Sequence, residues 1–162
     1  MLILASTFRL FIALVDFTSD VSDKKGYAQT LDYLADCRLD NQDFDQALTY
    51  AKKALLIGKN LNNERLISSI MREIGSIYRQ SGQEKKALTY YNNSLKIRNR
   101  LQDEWGISDC LHSISLIHLN RGQYKRAIAY QQKALTTSER LGDLAGMVIH
   151  FQTISAKSPH LT

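Results

Sequence analysis

Four histidines and two cysteines are the side chains of this 162-residue chain with the most chemistry to offer. His112, His118, His150 and His160 are of a type that ligates metals or moves protons. Cys37 and Cys110 are of a type that ligates, attacks or cross-links. Their spacing suits none of these roles. Cys110 and His112 stand two apart, so a helix turns them to different sides. No HExxH, no CxxC and no carboxylate cluster with metal spacing occurs, so no metal site is expected. GxSxG, Walker and GxGxxG patterns are also missing, so neither a nucleophile nor a nucleotide cofactor has its usual cradle. The sequence therefore calls for no cofactor and no catalytic activity. The cysteines form no disulfide framework, which suits a reducing, cytoplasmic compartment. Asn92-Asn93-Ser94 matches a glycosylation sequon but falls inside a helical pattern and reads as coincidence.

The charged side chains offer more. Residues 1–45 hold four Lys/Arg against eight Asp/Glu, and residues 46–143 hold sixteen against eight. An acidic first quarter is thus followed by a basic middle. A basic surface attracts acidic peptides, nucleic acid or anionic lipid. The plainer reading is a solvated helical face. Arg65, Arg72 and Arg79 are seven apart and form one helical stripe. Asp32, Asp36 and Asp40 form another. These stripes either pair with each other, Asp32 facing Arg72, or grip a partner whose acidic side chains meet the arginines. Base stacking needs exposed aromatics, of which the pattern offers few, so nucleic acid ranks third among the partner classes.

Such stripes need elements to hold them, and the chain repeats at a step of forty. Ala47, Ala87 and Ala127 coincide, as do Tyr50, Tyr90 and Tyr130, and Leu55, Leu95 and Leu135. Before them, Leu31, Met71 and Leu111 align, as do Leu34, Ile74 and Ile114. Apolar letters recur at three- and four-residue spacing, so each unit reads as two amphipathic helices. Gly82 and Gly122 suit the left-handed residue that ends a helix, and unit one has Gln42 there. Asn63, Asp103 and Asp143 are N-cap residues for the next helix. Two helices cannot bury an apolar stripe alone, so the units must stack as a solenoid. The small alanines at 47, 87 and 127 let the second helix approach the first.

At Met71, Ile74-Gly75, Tyr78, Ala87, Tyr91 and Ser94 the chain resembles the tetratricopeptide repeat family. Unit three answers with Leu111, Ile114-Ser115, His118, Ala127, Gln131 and Ala134, and unit one with Leu31, Leu34-Ala35, Arg38, Ala47, Ala51 and Ala54. The step of forty exceeds the family's usual spacing of about thirty-four. It is similar to the long-helix arrays of partner-of-inscuteable-type adaptors and bacterial signalling proteins. The resemblance implies an all-α, right-handed α-solenoid of antiparallel helix pairs, about eight helices in all. It also implies a concave groove lined by first helices. Carried over by position, that groove shows Asp32, Asp36, Arg65, Arg72, Ser76, Arg79, His112 and Leu116. Tyr33, Glu73 and Ser113 stand where some relatives carry an asparagine ladder, so that ligand class does not carry over.

The register divides the chain into a half repeat at 1–22, repeats at 24–63, 64–103 and 104–143, a half repeat at 144–158 and a tail at 159–162. The opening MLILASTFRLFIALVDF is then a second helix. It is too short and too charged, at Arg9 and Asp16, for a membrane span, and lacks a cleavage site. Phe8, Phe11 and Val15 are numerous for an end face, which suggests self-association or a place in a longer array. The expected function is non-catalytic protein–protein recognition in the groove, by a protein or an acidic peptide, without a membrane. A peptide-sensing regulatory module of a signalling protein is the alternative, and nucleic-acid binding through the basic middle the third.

Overall fold

The computed structural model describes residues 23–155, the side chains of Phe151, Ile154 and Ser155 excepted. Phe8, Phe11, Val15, His160 and the opening half repeat lie outside the described residues. Seven helices and no strand occur among those described: α1 Lys24–Asp40, α2 Phe44–Asn60, α3 Glu64–Gln80, α4 Glu84–Arg100, α5 Glu104–Asn120, α6 Tyr124–Leu141 and α7 Leu144–Ser155. The first five are each 17 residues long, roughly 25 Å.

The local cause of this regularity is the turn. Gln42, Asn62, Gly82, Gln102, Gly122 and Gly142 all have positive φ, between 49° and 77°, and recur every twenty residues. In each turn the next amide reaches back to the helix, as Asp43 N to Arg38 O at 2.9 Å and Gln83 N to Tyr78 O at 2.8 Å. This Schellman geometry satisfies carbonyls that a helix end leaves orphaned. The turn expected from Gly82 and Gly122 is therefore the same at Gln42, which adopts it without glycine. First helices start on a side-chain cap, whereas Gln83 and Gln123 make no such bond. Asp23, Asn63, Asp103 and Asp143 accept from the amides of Gly26, Leu66, Gly106 and Gly146 at 2.9–3.2 Å.

Helices pack as pairs α1–α2, α3–α4 and α5–α6, and the pairs stack through α2–α3, α4–α5 and α6–α7. The result is a right-handed α-solenoid with first helices α1, α3 and α5 side by side. Leu31, Leu34, Ile70, Ile74, Ile77, Ile114 and Ile117 fill the core. Ala47 and Ala87 are fully buried and Ala127 nearly so, as close helix approach requires.

Two slots along the register pair a small residue with its neighbour. Within a pair, Gly75 meets Tyr91 and Ser115 meets Gln131, and the register equivalents Ala35 and Ala51 are both buried. A Cβ on Gly75 would lie 2.7 Å from the Tyr91 ring. Between pairs, Gly58 packs near Leu66, Gly106 near Arg98 and Gly146 near Ser138. Each contact keeps at least one small partner, which leaves room for Tyr91 and Arg98 where the other side chain is large.

Three surface ion pairs also form, two of which, Arg100–Glu64 and Arg140–Glu104, repeat at the step of forty. Arg100 pairs with Glu64, Arg121 with Glu84 at 2.6 Å, and Arg140 with Glu104 at 2.8 Å. Exposed pairs like these contribute about 0–1 kcal/mol each. Their main effect here is to occupy three cations of the basic middle.

Candidate functional site

The groove residues come from one face of α1, α3 and α5. Helix periodicity places Asp32 and Asp36 on α1, Arg65, Arg72, Ser76 and Arg79 on α3, and His112 and Leu116 on α5. Apolar residues on the opposite face of each helix enter the core and fix this orientation.

At the α1–α3 contact, Asp32, Asp36, Arg72 and Glu73 come together. Arg72 Nη2 lies 3.2 Å from Glu73 Oε2. Its ion pair is thus with its own chain neighbour, while Asp32 acts on it at longer range. Burial opposes the Arg72 charge, but Glu73 and Asp109 outweigh burial and raise its pKa. Glu73 is 7% exposed. Burial, a hydrogen bond with Asp36 and the neighbouring acids together prevail over Arg72, pushing the Glu73 carboxyl up to about 8. Burial, reinforced by Asp36, lifts Asp32 to about 6 against the pull of Arg72. Two of these carboxyls therefore hold protons well above the ordinary acidic range. Glu73 is the member that sequence reasoning missed. Its signal was a lone acid among apolar letters, between Ile70 and Ile74.

Next to this cluster, a pocket of about 420 Å³ opens between the first turns of α1 and α3. Lys25, Asp32, Tyr33, Arg65 and Ser69 are among its walls. Further along α3, Ser76 Oγ lies 3.2 Å from Tyr91 OH and so faces the helix pair. Asp32 Oδ1 and Arg79 Nε are buried and have no hydrogen-bond partner. Leu116 is half-buried on α5.

His112 leads into a second polar cluster. Gln131 Nε2 lies 3.1 Å from His112 Nδ1 and 2.8 Å from His150 Nδ1. His150 Nε2 lies 3.0 Å from Ser108 Oγ, which is 3.1 Å from Ser138 Oγ. Ser115 donates to Gln131 Oε1. A serine beside a histidine invites a catalytic reading, but Ser108 and His150 are 4% and 5% exposed. The second ring nitrogen of His150 faces an amide, not a carboxylate. The arrangement is packing between α5, α6 and α7. His118 is likewise structural, stacked on Tyr130 and 2.7 Å from Gln123 Oε1. Among the described residues no group of three or more His, Cys, Asp or Glu side chains is placed to hold a metal ion. Ser94, the third residue of the apparent sequon, is buried and donates to Ser68 O at 2.6 Å. No helix among the described residues is long and apolar enough to cross a membrane.

With helix pairs, small-residue contacts and a first-helix groove in place, the comparisons fit one class. The chain matches the tetratricopeptide repeat family over residues 26–100 and again over 66–140, and it belongs to that family. No curated protein matches it in sequence. Among solved structures it is similar to BtubC from P. vanneervenii, at 22% identity and TM-score 0.80, covering 95% of this chain and 63% of that one. It is similar also to a signal-transduction ATPase with a tetratricopeptide repeat sensor from Pyrococcus horikoshii. That match has 22% identity and TM-score 0.80, covering 98% of this chain and 25% of the other. A third is a Rap protein complexed with competence and sporulation factor, at 16% identity and TM-score 0.73, covering 88% and 45%. The chain thus spans from a quarter to less than two thirds of these relatives' length. At such identities the likeness establishes the fold.

Proposed function

We propose that this chain is a non-catalytic, cytoplasmic recognition scaffold that binds an extended peptide or partner helix in the groove of α1, α3 and α5. One observation carries the reading: two buried polar atoms of opposite character, Asp32 Oδ1 and Arg79 Nε, stand on that face without partners. An unsatisfied buried polar group costs about 1–3 kcal/mol. That cost is recovered when binding shifts these part-exposed side chains so that Asp32 Oδ1 meets a donor and Arg79 Nε an acceptor. The groove is bipolar, so its ligand is too. Asp36, with Asp32 once it ionises above about 6, favours a basic or amide side chain at the α1 side. Arg79, and Arg65 beside the pocket, favour a carboxylate. Arg72 is already paired with Glu73 and contributes to the field more than to contact. Ser76 supports Tyr91, while His112 and Leu116 form the far wall.

Selection of a random-peptide library on the full chain tests this reading. Peptides that carry both charges are expected, and Arg65→Glu with Arg79→Glu should weaken their binding at least about tenfold. Helicity by circular dichroism should not change. Unchanged affinity in that variant contradicts the groove assignment.

A regulatory reading has its own support, because one structural relative is named for a repeat sensor attached to an ATPase. It calls for a peptide-induced change in the activity of an effector joined to, or associated with, this chain. Nucleic-acid binding is weakened by the pairing of Arg100, Arg121 and Arg140 with glutamates. Binding to random duplex that falls steeply with salt would revive it.

A further inference from the structure

At one buried position helix α7 carries a histidine where the earlier units carry an apolar or thiol side chain. In the register of forty, His150 takes the place of Ile70 and Cys110, Gln131 that of Tyr91, and Ser115 that of Gly75. Ile70, Tyr91 and Cys110 are fully buried. At the last junction the same positions form one hydrogen-bonded node. A single amide, Gln131, bridges His112 on α5 and His150 on α7, whose rings are 5.3 Å apart. Ser108 of α5 and Ser138 of α6 close the node on the other side of His150. The outer face of α7 holds nothing in place among the described residues. Leu144, Val148 and Ile149 there are 74%, 54% and 49% exposed.

We propose that this node is an acid-released latch: α7 stays docked while His112 and His150 are neutral, and lets go when they gain protons. The reason is geometric. Gln131 Oε1 accepts from Ser115, so Nε2 donates to His150 Nδ1 and that ring presents a lone pair there, whereas His112 Nδ1 lies 3.1 Å from Nε2 and 3.3 Å from Oε1 and can meet either atom. Protonation of His150 at Nδ1 sets N–H against N–H. Turning the amide over relieves that clash but leaves two cations 5.3 Å apart inside a protein contact. The other groups do not neutralise them. From α5, Asp109 favours the charged rings, and Asp143 at the start of α7 favours His150. Arg79 on α3 opposes charge on His112. Helix α6 presents Gln131 and Ser138, both uncharged, and the Gln131 hydrogen bond favours the charged form of His112. The balance still falls on the neutral side: burial lowers both histidines, and charge on His112 further opposes charge on His150. With folded values depressed below the ordinary 6.5, docking is fully favourable above that pH and is lost as pH falls through it.

Release would uncover the face of α5 and α6 beside His112, which the groove reading takes as its far wall.

Amide hydrogen exchange on the full chain, corrected for intrinsic rate, tests the latch. Between about pH 7.5 and about pH 5, protection over residues 144–155 should fall about tenfold or more while α3 and α4 keep theirs. Ser115→Gly with Gln131→Tyr and His150→Ile transplants the apolar junction and should hold α7 at both pH values. Should that variant lose helicity at neutral pH, His150→Gln serves in its place, with the same expected insensitivity. Histidine ring resonances of the unaltered chain give a further reading: His150 should titrate together with α7 opening. Protection over 144–155 that ignores pH overturns the proposal. So does a loss shared by all helices, a variant that still opens in acid, or a His150 ring that titrates normally in a docked helix.

Discussion

Glu73 sits where the groove meets the core, and its environment decides its charge. Its carboxyl is buried, shares a hydrogen bond with Asp36 and touches Arg72, and it stays protonated up to about 8. A raised folded value means that the unfolded chain ionises first as pH rises. Stability is therefore full below about 4.5 and declines towards 8. Glu73→Gln keeps a donor for Asp36 and removes the titration. Its urea midpoint should match the parent near pH 4.5 and exceed it near pH 8, by on the order of 2 kcal/mol. An equal difference at both pH values would mean that packing, not ionisation, governs this site. The stripes of Asp32–Asp36 and of Arg65–Arg72–Arg79 were legible as helical spacing alone. That Arg72 would take Glu73 as its partner was not. It depends on how far α3 rotates against α1, which one helix's letters do not encode. His150 escaped for a related reason. Its partners Ser108 and Gln131 are nineteen or more positions away, on two other helices.

At the scale of elements the unit is a helix and a three-residue turn, repeated every twenty residues. Cap residues and amphipathic spacing announce it, because Asn and Asp caps and Gly at a left-handed position have local physical causes. Where glutamine occupies that position the letter is silent and the hydrogen bonds decide. Gln42 and Gln102 hold φ of 59° and 53°, a region unfavourable for a side chain bearing Cβ. Gln42→Gly and Gln102→Gly should each raise stability by about 0.5–1 kcal/mol, as Gly82 and Gly122 already exploit. Thermal melts of the single and double variants check this, and the effects should add, because the turns are far apart. A loss of stability in either would show that its side chain contributes a contact worth more than the backbone strain.

Across the whole molecule, the repeat register was the most legible feature, since three copies of one pattern exclude coincidence in a way that single residues do not. Its departures were readable as letters but not as causes. Tyr91 against Gly75, and Arg98 against Gly106, make sense only once both sides of the contact are seen. The groove is proposed to act as a unit, with one bipolar surface shared by α1, α3 and α5. Amide chemical-shift mapping of a library-selected peptide on the labelled full chain tests this most directly. The account predicts perturbations grouped around Asp32, Arg65, Arg79 and His112, on all three first helices. Perturbations confined to α2, α4 and α6, with the first helices unmoved, would contradict it.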